Sequence, residues 1–135
     1  MSTTAPVKLR SLRINQRAQL VPQAQAQQWH DVAVRTPGLN EFDRKVLDAI
    51  AEWYRRLYVE DFAGSLSHVR MARRLDVDPV RIRWAVEGLV GLGLIAVKPG
   101  AGARANTYLP ALPKRLAASL ADAVAASTED AAPPF

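Results

Sequence analysis

The sequence predicts a mainly α-helical fold with one small β-hairpin, and three observations carry that prediction. Four stretches between residues 40 and 126 repeat apolar residues at steps of three and four, the spacing that gathers them on one face of a helix. Residues that start or stop helices bound these stretches: Asn40, Ser67, Asp78 with Pro79, and Gly93. Between the third and fourth stretches, two short β-prone runs flank a loop of glycine and alanine, as the strands of a hairpin do.

Residues 1–39 read as a basic, Gln-rich N-terminal arm. Val7-Lys8-Leu9-Arg10 alternates apolar and basic residues as an edge strand does, and Leu12 with Ile14 resumes the alternation in shifted register. From Gln16 to Gln28 glutamine and alanine dominate, which fits a linker or a helix starting at Pro22. Trp29, Val32 and Ala33 then share one helical face, so the arm is expected to dock through Trp29.

A folded unit is expected over residues 40–112. Asn40 caps its first helix, with Asp43 three residues on completing a capping box built from the shorter acid. Phe42, Val46, Ile50, Trp53 and Leu57 follow one stripe of this helix and Leu47 widens it, while Arg44, Lys45, Asp48, Glu52, Arg55 and Arg56 take the other side. Aromatics at that spacing belong to a core. A second helix runs from a Ser67 cap to Leu75 and buries Met71, Ala72 and Leu75. Asp76 fills the turn position where a left-handed backbone is usual, and Val77 plugs the angle between helices. Asp78 caps the next helix, with Pro79 at the first position, where its missing N–H costs nothing. That helix continues to about Leu92 with Ile82, Ala85, Val86 and Leu89 inward, and Gly93 stops it.

Leu94-Ile95-Ala96-Val97 and Asn106-Thr107-Tyr108-Leu109 read as the two strands of the hairpin, with Lys98 and Arg104 supplying charge to the loop between them. Residues 113–126 form a C-terminal helix. Leu112, Leu116, Leu120 and Val124 recur every four residues there, a stripe that needs a partner on the first helix of the folded unit or on a second subunit. Residues 127–135, acidic and proline-containing, read as a disordered tail.

Composition narrows the chemistry. At 135 residues the chain has room for one domain with an adequate core. It has no cysteine, which removes disulfides and Cys-based zinc sites, and His30 and His68 stand in no ligand-spaced motif, so neither metal nor cofactor is expected. No run approaches the roughly 20 apolar residues that cross a bilayer, and the N-terminus lacks the apolar core of a signal peptide. The cytoplasm is the expected compartment, with no membrane partner. The net charge of +5 is uneven: residues 1–36 hold five lysines and arginines against one acid, and residues 37–112 hold eleven against nine. A basic segment of this kind attracts phosphate at long range, though a solvated tail has the same composition. No enzyme is expected, because Asp43, Asp48 and Glu52 lie on a solvated helix face and Asp76 and Asp78 serve a turn and a cap. The Gly100-Ala101-Gly102 loop opens no helix and so makes no nucleotide cradle.

The stretch from Ser67 to Leu109 resembles the winged helix-turn-helix superfamily. Ser67, Ala72, Leu75, Val77, Ile82, Ala85, Val86 and Leu89 carry the resemblance, with the triplet Gly93-Leu94-Ile95 and the Gly100, Gly102, Arg104, Asn106 and Tyr108 of the loop and its return strand. The spacing is similar to that of GntR-type bacterial regulators, and the Arg-Ala-Asn-Thr-Tyr segment to helix-turn-helix domains of phage and plasmid replication proteins. The resemblance implies a winged helix-turn-helix domain over residues 40–112, double-stranded DNA as partner, and the helix after Asp78 as the recognition helix. It assigns DNA contacts to Val80, Arg81, Arg83 and Trp84 on that helix, Ser67 and Arg70 on the helix before it, and Lys98 and Arg104 on the wing. Regulators of this kind commonly read two half-sites as homodimers. No ligand-sensing domain of the usual size accompanies the unit, and no small-molecule ligand is expected.

A helical wheel places Val80, Trp84, Glu87 and Gly91 opposite Ile82 and Leu89, with Arg81 and Arg83 on either flank. An exposed tryptophan beside a valine also suits a protein interface, and Glu87 is unwelcome beside phosphate. The alternative is therefore a winged-helix module that holds another protein through its Val80 and Trp84 face.

Overall fold

The computed structural model describes the backbone of residues 12–60, 68–99 and 106–131, and the side chains of 12–56, 68–99 and 106–127. In chain order these residues form β1 (Ala18–Leu20), α1 (Ala26–Ala33), α2 (Glu41–Glu60), α3 (His68–Leu75), α4 (Pro79–Gly91), β2 (Ile95–Lys98), β3 (Thr107–Pro113) and α5 (Ala117–Ala131). Single 3-10 turns at Gln23–Gln25 and Lys114–Leu116 lead into α1 and α5. The fold is mainly helical, with one three-stranded antiparallel sheet in the order β1-β3-β2 among the described residues.

Helix ends follow local chemistry. Asn40 Oδ1 accepts from the Asp43 N–H at 2.7 Å and Asp43 Oδ2 accepts from the Asn40 N–H at 3.1 Å, so two of the orphan donors at the start of α2 are satisfied. At the end of α3, Asp76 adopts φ 56°, the Val77 N–H reaches the Ala72 carbonyl at 3.0 Å and the Asp76 N–H reaches that of Arg73 at 3.3 Å. That is the Schellman pattern with aspartate where glycine is usual. Asp78 then caps α4 by accepting from the Val80 N–H at 2.9 Å, with Pro79 at the first helical position. Gly93, at φ 79°, repeats the pattern at the other end of α4 through Leu94 N–H to Leu89 and Gly93 N–H to Val90. A Cβ on Gly93 would lie 3.1 Å from the Ala18 Cβ, so the turn also lets β1 approach closely.

Burial follows the helical stripes. Val46, Leu47, Ile50 and Trp53 of α2, Met71 and Ala72 of α3, and Ile82, Ala85, Val86 and Leu89 of α4 enclose one core. The side chain of Leu57 lies outside the described residues. Tyr54 joins this core as well, its hydroxyl donating to the Tyr108 carbonyl on β3.

The N-terminal region departs from the expected arm. Residues 18–39 are built into the domain: β1 pairs with β3 at Ala18↔Pro113, Gln19↔Leu112 and Leu20↔Ala111, and α1 buries Ala26, Trp29 and Ala33. Trp29 has no exposed surface, and its indole N–H donates to both the Leu94 and Ala111 carbonyls, at 2.9 and 2.8 Å. The strand reading for Val7 to Arg10 lies outside the described residues. The helix instead of a linker begins just past Pro22, as one of the two sequence readings had it.

Strand β3 runs past the point where the sequence reading ended it. Pro110 and Pro113 argue against a central strand, because neither can donate to a ladder. Pro110 nevertheless accepts from the Val21 N–H at 2.9 Å, and β1 ends at Leu20, one residue before the return bond that Pro110 lacks. The last helix also exceeds expectation, continuing to Ala131 through part of the expected disordered tail. Its Leu120 and Val124, with Leu116 of the 3-10 turn before it, pack on the core, and its chief neighbour is α1, not α2, with Gln28 Nε2 donating to Ser127 Oγ at 3.0 Å.

Candidate nucleic-acid interface

Helix α4 has two contrasting faces. Ile82, Ala85, Val86 and Leu89 are buried, whereas Arg81, Arg83 and Glu87 are exposed, Val80 is 44% exposed and Trp84 is 73% exposed. The α3–α4 turn causes this orientation. Asp76 reverses the chain in a left-handed conformation and Asp78 restarts the helix two residues later, so that α4 turns Ile82 into the core shared with α3 and leaves Val80 and Trp84 outward.

The two arginines of this face are steered apart. Arg81 lies over the Phe42 ring of α2, its guanidinium carbon 4.2 Å from the ring centroid, a cation–π contact that holds it to one side. Arg83 leaves α4 on the opposite flank, and its charge acts on the phenol of Tyr108 in β3. Burial pushes that phenol up to about 12; Arg83 and Arg13 pull it down, and Glu87 pushes it further up. Val80 and Trp84 thus form an apolar ridge between cationic flanks.

Arg70 of α3 is exposed and leans on the Trp53 ring at 5.7 Å. Lys98 ends β2 exposed to solvent, in register with Thr107. Ser67 and Arg104, also assigned to DNA contact, lie outside the described residues, as does the loop tip at 100–105. The structure therefore brings Val80, Arg81, Arg83 and Trp84 together on one helix, with Arg70 on the helix before it and Lys98 on the hairpin behind it.

Two residues of this surface escaped the sequence reading. Arg13 bridges Val97 on the outer edge of β2, with N–H to carbonyl bonds of 2.9 Å in both directions, and its Nη2 lies 2.6 Å from both carboxylate oxygens of Glu87. Asn15 Nδ2 donates to the Gly91 carbonyl at 2.8 Å, near the end of α4. The chain at Arg13 thus lies along the C-terminal half of α4 and neutralises its one acid. Seventy-four residues separate Arg13 from Glu87, and no local pattern links them.

Among the described residues no three His, Asp or Glu side chains are grouped to hold a metal ion, and no helix is long and apolar enough to cross a membrane. His30 is spent on structure: its Nε2 pairs closely with Asp48 Oδ1 and joins α1 to α2. A cleft of about 590 Å³ between α1 and α5 is lined by Arg35, Thr36, Arg115, Ser119 and Asp122, on elements other than α4. Comparison with protein-family models, with curated proteins and with solved structures finds no match.

Proposed function

We propose that the chain is a winged helix-turn-helix protein that binds double-stranded DNA sequence-specifically, without catalysis, in transcription control or in replication of the phage or plasmid type. In this reading α3 and α4 are the helix-turn-helix, α4 is the recognition helix, and β2 and β3 with the loop between them are the wing. The observation that carries it is the outward turn of the first half of α4, which presents Val80, Arg81, Arg83 and Trp84 together. An α-helix fits the major groove, and an arginine fork matches the two acceptors on the groove edge of guanine. Arg70 and Lys98 lie where phosphates would pass, supplying affinity without sequence preference. The neutralisation of Glu87 by Arg13 removes the one acid of the exposed ridge from the account.

The 73% exposure of Trp84 favours a second reading, a module that holds a protein partner through the Val80 and Trp84 face. Salt separates the two. Counterion release makes duplex affinity fall by orders of magnitude between about 50 and about 200 mM salt when six or more phosphates are neutralised. Fluorescence anisotropy with duplexes enriched from a random library should show a steep decline, and replacing Arg81 and Arg83 together with alanine should erase site preference before it erases binding. Affinity that ignores salt, or an unaltered site preference in the double variant, overturns the DNA reading. Mass measurement on the bound sample tests the homodimer, which a palindromic site requires.

A further inference from the structure

We propose that Val80 and Trp84 read the 5-methyl groups of thymine, so that the chain selects sites with thymines at the centre of its contact. This rests on the DNA reading above and names what the recognition helix would recognise.

Val80 has no hydrogen-bonding side chain, and Glu87, which could otherwise accept from the amino group of cytosine, is held by Arg13. Arg81 is held over Phe42 and Arg83 leaves α4 on the opposite flank of the helix, so neither stands on the line of Val80 and Trp84. Discrimination along the centre of α4 must then come mainly from apolar contact. The major groove offers one apolar group, the thymine methyl.

Trp84 suits that base further. Its indole is a large apolar plane with a single N–H donor, and among the described residues that N–H has no acceptor. Thymine presents a methyl group with the O4 acceptor next to it, whereas cytosine presents a donor and no methyl. Val80 and Trp84 are four residues apart, about 6 Å along the helix. Successive bases on a strand are about 3.4 Å apart, so the two side chains match positions two steps apart. The flanking arginines stand on either side of such a ridge, where their forks reach guanines at the ends of the contact.

The test uses the full chain and duplexes that carry its selected site, each with one thymine replaced by deoxyuridine, which removes a methyl and nothing else. Burying one methyl group corresponds to about a fourfold change in affinity, so one or two positions should weaken by about that factor. Trp84→Ala should bind the thymine and deoxyuridine duplexes equally while retaining the salt dependence of the parent. Equal affinity of the parent for both duplexes overturns the inference, as does a Trp84→Ala variant that still distinguishes them. In either case steep salt dependence leaves the DNA reading standing. Absence of salt-dependent binding to any duplex overturns both, and a protein ligand whose salt-insensitive binding Trp84→Ala abolishes does the same.

Discussion

Trp29 has no exposed surface and gives its indole N–H to the carbonyls of Leu94, just before β2, and Ala111 in β3, whereas Trp84 stands 73% exposed on a helix whose other face is buried. An indole buries roughly 150–250 Å² when packed. Around Trp29 that area is spent joining α1 to the strands that follow α4, so the region closes on itself. Around Trp84 the fold gains almost nothing, and water leaves the ring only when something outside the described residues covers it. The contrast divides the molecule into a part that holds shape and a part that is presented.

The sharpest way to break this contrast is to truncate both rings. Trp29→Ala should cost about 3–5 kcal/mol, since it opens a cavity and takes the indole donor from the Ala111 carbonyl, while the Leu94 carbonyl keeps the Ala111 N–H at 3.2 Å. Trp84→Ala should change stability by no more than about 0.5 kcal/mol. Urea unfolding of the two variants measures both. Comparable losses would show that Trp84 supports the fold, and the division would fail.

Tyr108 joins the two regions, because its ring is buried while its phenol responds to Arg83, Arg13 and Glu87 at the edge of α4. Its acid form is favoured in the folded state: the phenol is pushed up to about 12 from an ordinary value of 10.0. Between these values the unfolded chain loses the proton while the folded chain keeps it, so stability falls as pH rises from 10 towards 12. The loss is on the order of 2 kcal/mol. Below pH 10 the contribution is fully present. Unfolding of the parent and of Tyr108→Phe at successive pH values should show a steeper alkaline decline in the parent; equal slopes would mean the phenol is no more protected than in the unfolded chain.

Gly93 marks the boundary between α4 and the sheet. Gly93→Ala forces a side chain into φ 79° and sets a Cβ 3.1 Å from that of Ala18, and should cost about 1–2 kcal/mol. Combining it with Ala18→Gly relieves the contact but not the backbone strain. The double variant therefore separates the two causes: full recovery in thermal unfolding would assign the cost to crowding against β1 alone.

How far these features can be read from sequence depends on the range of the forces that make them. The capping pair Asn40 and Asp43, the left-handed Asp76, the Asp78-Pro79 start and the Gly93 stop are each decided within a few residues, and all stand where local chemistry puts them. The two faces of α4 are equally local, since 3.6-residue geometry fixes which residues oppose Ile82 and Leu89. By contrast β1 is three residues of no particular pattern, and becomes a strand because β3 lies beside it more than ninety residues later. Pro110 and Pro113 read as breakers because their missing N–H groups count against any ladder, and only the register shows where those gaps fall. The same holds at the candidate interface: exposure of Val80 and Trp84 was legible, but the Phe42 ring under Arg81 and the Arg13 partner of Glu87 come from tertiary approach.

Arg13 offers the finest test of the division, because its contribution to shape and its contribution to the presented surface can be set against each other. Its ion pair with Glu87 is solvent-exposed on both sides, so Arg13→Gln should lower stability by less than about 1 kcal/mol, the more so because the backbone bridge to Val97 survives the change. If the pair matters chiefly for the surface, the same variant should weaken duplex binding by uncovering the Glu87 carboxylate. Adding Glu87→Gln should then restore affinity to near the parent value without restoring stability. A double-mutant cycle on each quantity decides the matter: coupling in binding with little coupling in stability keeps Arg13 with the presented face, and the reverse assigns the chain at residue 13 to the core.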